Sequence, residues 1–370
     1  MAMPNHRNNW GLHGSRPRAQ QQRLQPVPAE VAHAPVPRWI TVSGLELGAG
    51  QPGFCNEHPG APGHDYFAPH RSTLEQLADE GFVGFRIPFR WERLQPVLGG
   101  PLDPDGVQEL RYLISSADRI GKRVVLAMHN GGSYRMLVDG TPTTCGLEEN
   151  VGGAIRLYDQ HLAELWSRMS HALCGLPNLH GYSLGGPADG LPEGAWQRAG
   201  QAAVDAIRED GNTVNIFVAG NGRSHTETWD VDNPPELWLE DPIGKLIFEA
   251  RCHLDHDASG SYARSYDEEL RLDPALTQRV TARLSPFVRW LAETGAKGAI
   301  TELGVDATSS GWTRLLDELL QVARSTELAS ICWKARRHSD DDPPGNRDVE
   351  DPPSSPTKQV GLFGPRAKRA

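Results

Sequence analysis

The sequence predicts a single (β/α)8 TIM barrel, and three observations carry that prediction. Eight short apolar runs alternate with amphipathic helical patterns, as expected for a parallel sheet covered on both faces. Eight such units in roughly 300 residues suit a closed barrel better than an open sheet. The glycines after the first run, Gly48, Gly50 and Gly53, open no helical pattern, which disfavours a dinucleotide-binding sheet. The 370 residues would allow two or three domains, but α/β barrels of this length commonly form one.

The first 38 residues precede the pattern. They hold five arginines (7, 16, 18, 23 and 38), no lysine and one acid, Glu30, so +4 sits there and −14 on the rest of a chain of net charge −10. A Gln20–Gln22 run, Pro-Val-Pro steps and the lack of an apolar face make residues 1–38 a disordered basic tail, with the barrel in 39–370. The tail has no continuous apolar segment of the kind a secretory signal needs, so the chain as written reads as cytoplasmic.

The predicted strands are Trp39–Gly48, Phe82–Phe89, Arg123–Asn130, Leu179–Gly186, Thr213–Asn221, Leu246–Asp255, Gly298–Val305 and Leu328–Lys334. Helical patterns fall at about 71–80, 106–120, 151–173, 194–210, 275–294 and 312–325. Gly81, Gly121, Gly211 and Gly295 stand where a left-handed residue would stop four of them. The fifth connection, 222–245, is rich in Trp, Asp and Pro and holds at most a short helix. A long polar loop, Arg336 to Lys358, follows the eighth strand.

Composition excludes several classes. No apolar run approaches the length of a membrane span. The acidic balance argues against a nucleic-acid surface and against docking on anionic lipid. Cys55, Cys145, Cys174, Cys252 and Cys332 are odd in number and widely spaced, so they form neither a disulfide framework nor a zinc pattern. A monomer without cofactor is expected.

In such barrels chemistry gathers where strands end. The polar residues there are Arg86 with Arg90-Trp91-Glu92-Arg93, then His129-Asn130, Gly185-Gly186-Pro187, Asn221, the group Arg251, His253 and Asp255, Glu302, and Trp333-Lys334. Glu302 is the most informative, because a carboxylate in a buried strand costs several kcal/mol unless paired or opened to a cleft. It reads as a catalytic carboxylate kept ionised by Arg86, or as a structural ion pair with that same arginine. His253, Asp255, His256 and Asp257 raise a metal site, with His253 and Asp255 on one face of an extended segment. No further ligand set converges on them, and a solvated loop is the alternative.

At these residues the sequence resembles glycoside hydrolase family 5, the cellulase family, in its endo-β-1,4-glucanase branch. The resemblance runs from about Trp39 to Phe363. It rests on Phe85-Arg86-Ile87-Pro88-Phe89-Arg90-Trp91-Glu92-Arg93-Leu94-Gln95-Pro96, Met128-His129-Asn130, Ala219-Gly220-Asn221, Leu254-Asp255-His256-Asp257-Ala258-Ser259-Gly260 and Thr301-Glu302-Leu303-Gly304. It implies a barrel that cleaves β-glucans with retention through two glutamates. By position Glu302 matches the nucleophile, Arg86 its supporting arginine and His129 a histidine beside the cleavage subsite. Asn130, Asn221, Arg251, His253, Trp91 and Trp333 are substrate-binding candidates, and Trp229 is a further stacking candidate. Family members are usually secreted, which leaves the compartment open.

The match fails at the fourth strand end. The family has Asn-Glu-Pro there, with the Glu as acid/base, and this chain has Gly185-Gly186-Pro187. On the sixth strand the family His and Tyr are Arg251 and His253, and a sugar-stacking Trp pair falls near Arg336, Arg337 and His338. Three readings follow. One is a degenerate member with weak or absent hydrolysis. Another is an active retaining glycosidase of altered specificity, with Asp189 or Glu193 as surrogate acid. The third is a protein of another class: a metal-assisted hydrolase on the His/Asp cluster, or a non-catalytic binder of an acidic sugar or other anion on an Arg-rich rim of Arg251, Arg336, Arg337 and His338.

Overall fold

A computed structural model describes residues 38–187, 190–306 and 308–334. Its strands and helices, in chain order, are β1 (Arg38–Val42), α1 (Arg71–Asp79), β2 (Phe82–Phe89), α2 (Trp91–Leu94), α3 (Pro104–Arg119) and β3 (Arg123–Met128). Four short strands follow: β4 (Ser133–Val138), β5 (Thr141–Gly146), β6 (Asn150–Val151) and β7 (Ala154–Ile155). Next come α4 (Asp159–Ala172), β8 (Leu179–Ser183), α5 (Ala195–Glu209), β9 (Asn215–Ala219), α6 (Trp229–Asp232) and β10 (Leu246–Arg251). The chain continues with α7 (Tyr266–Leu272), α8 (Arg279–Thr294), β11 (Gly298–Leu303), α9 (Ser310–Ser325) and β12 (Ala329–Lys334).

Eight of these strands close into a parallel barrel in the order β1-β12-β11-β10-β9-β8-β3-β2. Each predicted strand run contributes one of them. Closure is made by β1 on β12, with Trp39 opposite Ile331 and Val42 opposite Lys334. Helices cover the outside because each buries one stripe: α5 buries Trp196, Ala199, Ala203 and Ile207, and α9 buries Trp312, Leu315, Leu319 and Ala323. The four glycines taken as helix stops all have positive φ, between 66° and 92°.

Inside the barrel, alternation along each strand puts every second side chain inward. Val125, Phe217 and Ala299 pack there with Trp39 and Ile247. Gly84 is required beside them: a Cβ at that position would lie 2.5 Å from the Trp39 ring. Arg86, Ser183 and Glu249 also meet inside, joined by hydrogen bonds, and leave a polar floor beneath the strand ends.

The structure corrects four expectations. The strand that opens the barrel includes Arg38, assigned above to the tail: Arg38 pairs with Phe82, and its guanidinium donates to the Glu80 carbonyl at 2.8 Å. Residues 1–37 and the loop Arg336–Lys358 lie outside the described residues. The helix predicted over 151–173 starts only at Asp159, because Gly152 and Gly153 (φ 62° and 86°) turn a small β6–β7 hairpin first. Before it stands the β4–β5 hairpin, whose signal was present in the sequence. Asp139-Gly140 takes positive φ at both residues (51° and 76°), the two-residue turn that matches strand twist. Helix α7 was also missed; Ser265 and Glu268 form a capping box at its start. No helix among the described residues is long and apolar enough to cross a membrane.

Candidate active site

The C-terminal ends of the barrel strands surround a cavity of about 140 Å3 whose walls include Arg86, His129, Gly186, Arg251, Glu249 and Glu302. Glu302 projects from β11. Strand pairing places Arg251 of β10 directly beside it, after an irregularity between Ala250 and Arg251. Glu302 Oε1 lies 3.1 Å from His253 Nε2 and 3.7 Å from Arg251 Nη1, while the side chain keeps 29% of its surface open. His253 itself is buried, and an arginine of α8, Arg283, donates to its carbonyl. The Arg251 Nε donates to the Arg223 carbonyl at 2.5 Å, which fixes the guanidinium against the wall.

Burial would raise the Glu302 carboxyl. The hydrogen bond from His253 and the charge of Arg251 outweigh it and hold the group well below the usual carboxylate range. Glu302 is therefore ionised and open to the cavity. The sequence reading assigned that ionisation to Arg86, and the geometry reassigns it to Arg251 and His253. Arg86 faces Glu249 instead: its Nη2 donates to Ser183 Oγ at 3.3 Å and lies 3.9 Å from Glu249 Oε2, while Ser183 Oγ donates to Glu249 Oε1 at 2.6 Å.

His129 opens onto the cleft and its carbonyl accepts from Arg90. Although the residue is exposed, the protein packed around the imidazole desolvates it. That desolvation, with Arg90 next and then Arg86 and Arg251, pushes the imidazole down to about 4 against the pull of Glu302. His225, in the loop after β9, is pushed down to about 4 in the same way, by desolvation first and then by Arg251 and His253.

Among the described residues, the wall opposite is made of Gly185, Gly186 and Pro187. Gly185 has φ +87°, a backbone that L side chains rarely adopt, and a Cβ there would sit 2.9 Å from the Met128 carbonyl oxygen. A Cβ on Gly186 would meet the Ala219 methyl at 2.9 Å. Of the two surrogate acids, Asp189 lies outside the described residues. Glu193 is exposed and is not among the cavity's walls; its carbonyl accepts from Arg198. Among the described residues, the only carboxylates that line the cavity are Glu302 and Glu249.

Several sequence candidates turn out to brace the scaffold. Trp91 is fully buried, with Nε1 on Gln95 at 2.8 Å and its ring edge-on to Tyr134, so it has no face for a sugar. Asn130 accepts from the Trp91 amide at 2.9 Å and donates to Glu92 at 2.8 Å; both its polar ends serve the loop. Trp229 is buried against Phe287, Trp238 and Trp290. Asn221 anchors its own loop, its amide donating to Asn233 and its side chain to the Asp232 carbonyl. Trp333 is the residue of β12 opposite Thr41; its side chain, like Arg336, Arg337 and His338, lies outside what is described.

The His/Asp cluster disperses as well. His253 turns to Glu302, whereas Asp255 is buried and accepts from the amides of Gly260 and Tyr262 and from Ser259 Oγ. Among the described residues no three His, Cys, Asp or Glu side chains come together as metal ligands.

Glu249, Arg223 and His225 were missed. Glu249 had a signal: in Leu246-Ile247-Phe248-Glu249-Ala250-Arg251 it shares the inward face with Arg251, as Glu302 does on its own strand. Arg223 had none, since it reaches the wall through the consecutive positive φ values of Gly222, Arg223 and Ser224.

The Cellulase (glycosyl hydrolase family 5) model matches residues 48–339. The chain is 27% identical over 304 residues to a probable endo-β-1,4-glucanase B of Aspergillus oryzae, covering 80% of this chain and 81% of that protein. It is 29% identical over 262 residues to endo-β-1,4-glucanase A of Emericella nidulans, 70% of each chain. The crystal structure of Pseudomonas stutzeri endoglucanase Cel5A in complex with cellobiose superposes with a TM-score of 0.67 at 29% identity, over 83% of this chain and 85% of that one. The chain belongs to glycosyl hydrolase family 5, the cellulase family.

Proposed function

We propose that this barrel retains a β-glucan-type cleft and the attacking carboxylate of Glu302, but hydrolyses β-glucans weakly or not at all. One observation carries the reading: among the described residues, the wall after β8 consists of Gly185, Gly186 and Pro187 and offers no carboxyl group. Retaining hydrolysis uses two carboxyl groups about 5–5.5 Å apart, one to attack and one to protonate the leaving oxygen and later activate water. Glycine does neither. General acid/base help is worth about 10²–10⁴-fold. Glu249 does not replace it, being almost fully buried and tied to Ser183.

The ionised, accessible Glu302 supports a retained first half-reaction. Its oxygen attacks the anomeric carbon of an aryl β-cellobioside, and the C–O bond breaks with its electron pair leaving on the phenolate, which needs no proton. A 2-fluoro aryl β-cellobioside should therefore label Glu302 with one glycosyl group per chain, read by intact-mass spectrometry. Cellopentaose should meanwhile be turned over at least about 100-fold more slowly than by an endoglucanase with both carboxyl groups. Turnover at the rate of such an enzyme would sink the proposal; a working surrogate such as Asp189 or Glu193 would then be sought by substitution.

A further inference from the structure

Beyond Ala219 the chain leaves β9 and returns to β10 through a left-handed turn. The β9–β10 ladder ends with Ala219 opposite Glu249, and an isolated bridge resumes it at His225 opposite Arg251. Between the two, Gly222, Arg223 and Ser224 all take positive φ, at 58°, 56° and 60°. Arg223 and Ser224 carry side chains, so this backbone costs free energy that its contacts must offset. At Gly222 a Cβ would also collide with the Asp232 carboxylate. Ser224 supplies the fastening. It is buried, and its Oγ accepts from the Gly220 amide at 2.9 Å and donates to the Glu249 carbonyl at 2.5 Å, which ties the turn to the strand beside it. Two residues on, the Thr226 amide donates to the Arg251 carbonyl at 3.1 Å.

The turn aims the Arg223 carbonyl at Arg251 Nε, 2.5 Å away, and Arg251 Nη1 lies 3.7 Å from Glu302 Oε1. That ion pair is partly open, with 28% of the arginine side chain and 29% of the glutamate side chain exposed. A pair so exposed gains little by itself, because holding a long side chain in one geometry costs rotamer freedom. A backbone carbonyl on Nε offsets that cost by fixing the guanidinium beside Glu302. We infer that Ser224 is a positioning residue: by fastening the Gly222–Ser224 turn to β10 it presents the Arg223 carbonyl to Arg251 and so holds the guanidinium against Glu302. The Ser224 hydroxyl, engaged by Gly220 and Glu249, acts through Arg251 rather than on a sugar. For its effect on the reaction the inference rests on the reading of Glu302 as the attacking carboxylate; the placement of Arg251 is measured without it.

Solvent exchange of the Arg251 Nε–H, followed in nitrogen–proton NMR spectra and assigned by its loss in Arg251→Lys, tests the placement directly. Ser224→Gly removes the hydroxyl and suits the positive φ, and it should speed that exchange by about tenfold or more. The Nε–H of Arg93, which donates to the Pro59 carbonyl at 2.8 Å in the loops after β1 and β2, should exchange as before. Ser224→Cys, which keeps the volume and weakens both hydrogen bonds, decides the matter if the glycine variant fails to fold. Labelling of Glu302 by the 2-fluoro aryl β-cellobioside is the second measurement. Ser224→Gly should slow it by about threefold or more, because a carboxylate whose cation has turned away is no longer held in the attacking position. In an Arg251→Met background the same substitution should add nothing. Unchanged exchange at Arg251, exchange that rises equally at Arg93, or a slowing of labelling that is equal in both backgrounds or absent from both overturns the inference. A chain whose Glu302 is not labelled at all would sink the nucleophile reading, while the exchange rates still decide how Arg251 is held.

Discussion

The two walls of the cleft are furnished differently. On the β10–β11 side, Glu302 is held by His253 and Arg251, and the loop behind them is fastened by Asp255, Tyr262 and Arg283. Opposite, β8 ends in two glycines, with the Ala219 methyl against Gly186 and the Met128 carbonyl against Gly185. Both walls are carried by parallel strands of the same closed sheet. The scaffold is therefore indifferent to whether its strand ends hold chemistry. Function is a property of the side chains placed there, not of the sheet that carries them.

The largest effect expected concerns the furnished wall. Glu302→Gln should abolish covalent labelling by the 2-fluoro aryl glycoside outright, since the amide does not attack; labelling that persists, mapped by peptide mass spectrometry, would place the nucleophile elsewhere. Next comes the glycine wall. Gly186→Glu with Ala219→Gly should raise cellopentaose turnover by about 10²-fold or more, whereas Gly186→Glu alone should gain far less because its Cβ would press on the Ala219 methyl. If the double variant gains nothing, the left-handed backbone at Gly185 rather than the missing side chain is what disables this wall.

A third test addresses the floor shared by both walls. Arg86→Met leaves Glu249 buried opposite no cation, and such a broken buried pair costs about 3–5 kcal/mol. Urea denaturation should show that loss, and Arg86→Met/Glu249→Gln should recover much of it. The smallest effect is on pH dependence. His129 and His225 have folded values near 4, against about 6.5 for a free imidazole. Between those values the unfolded chain binds protons that the folded chain refuses, so stability falls as pH drops from about 6.5 to 4. Glu302 acts in a lower window. Its carboxyl is depressed on folding, so its contribution is complete above the unfolded value of about 4.3 and is lost as pH falls below it. The melting temperature followed from pH 7 to 4 should decline, and His225→Asn should flatten the decline.

Much of the barrel was legible because a buried parallel strand reads as an apolar run. Phe82–Phe89 was legible to the residue, and the helix stops at Gly81, Gly121, Gly211 and Gly295 were visible as punctuation. Long loops were harder. The Asp139-Gly140 turn and the Ser265–Glu268 cap were signals passed over between stronger patterns, and they hide two hairpin strands and a helix. The strand-end residues were likewise visible by type, but their partners were not. Trp91 and Trp229 read as stacking surfaces from residue identity alone, and burial disposed of both.

The sequence by itself determined the alternating strands and helices, the family, and the absence of a carboxylate at position 186, because all three are written in residue identity and order. Only the tertiary structure decided the electrostatics. Charges attract across space rather than along the chain, and Arg86, 216 positions from Glu302, shares its cavity yet spends its contact on Glu249. Arg251 and His253 take Glu302 instead, because strand register sets β10 beside β11 at that level of the barrel.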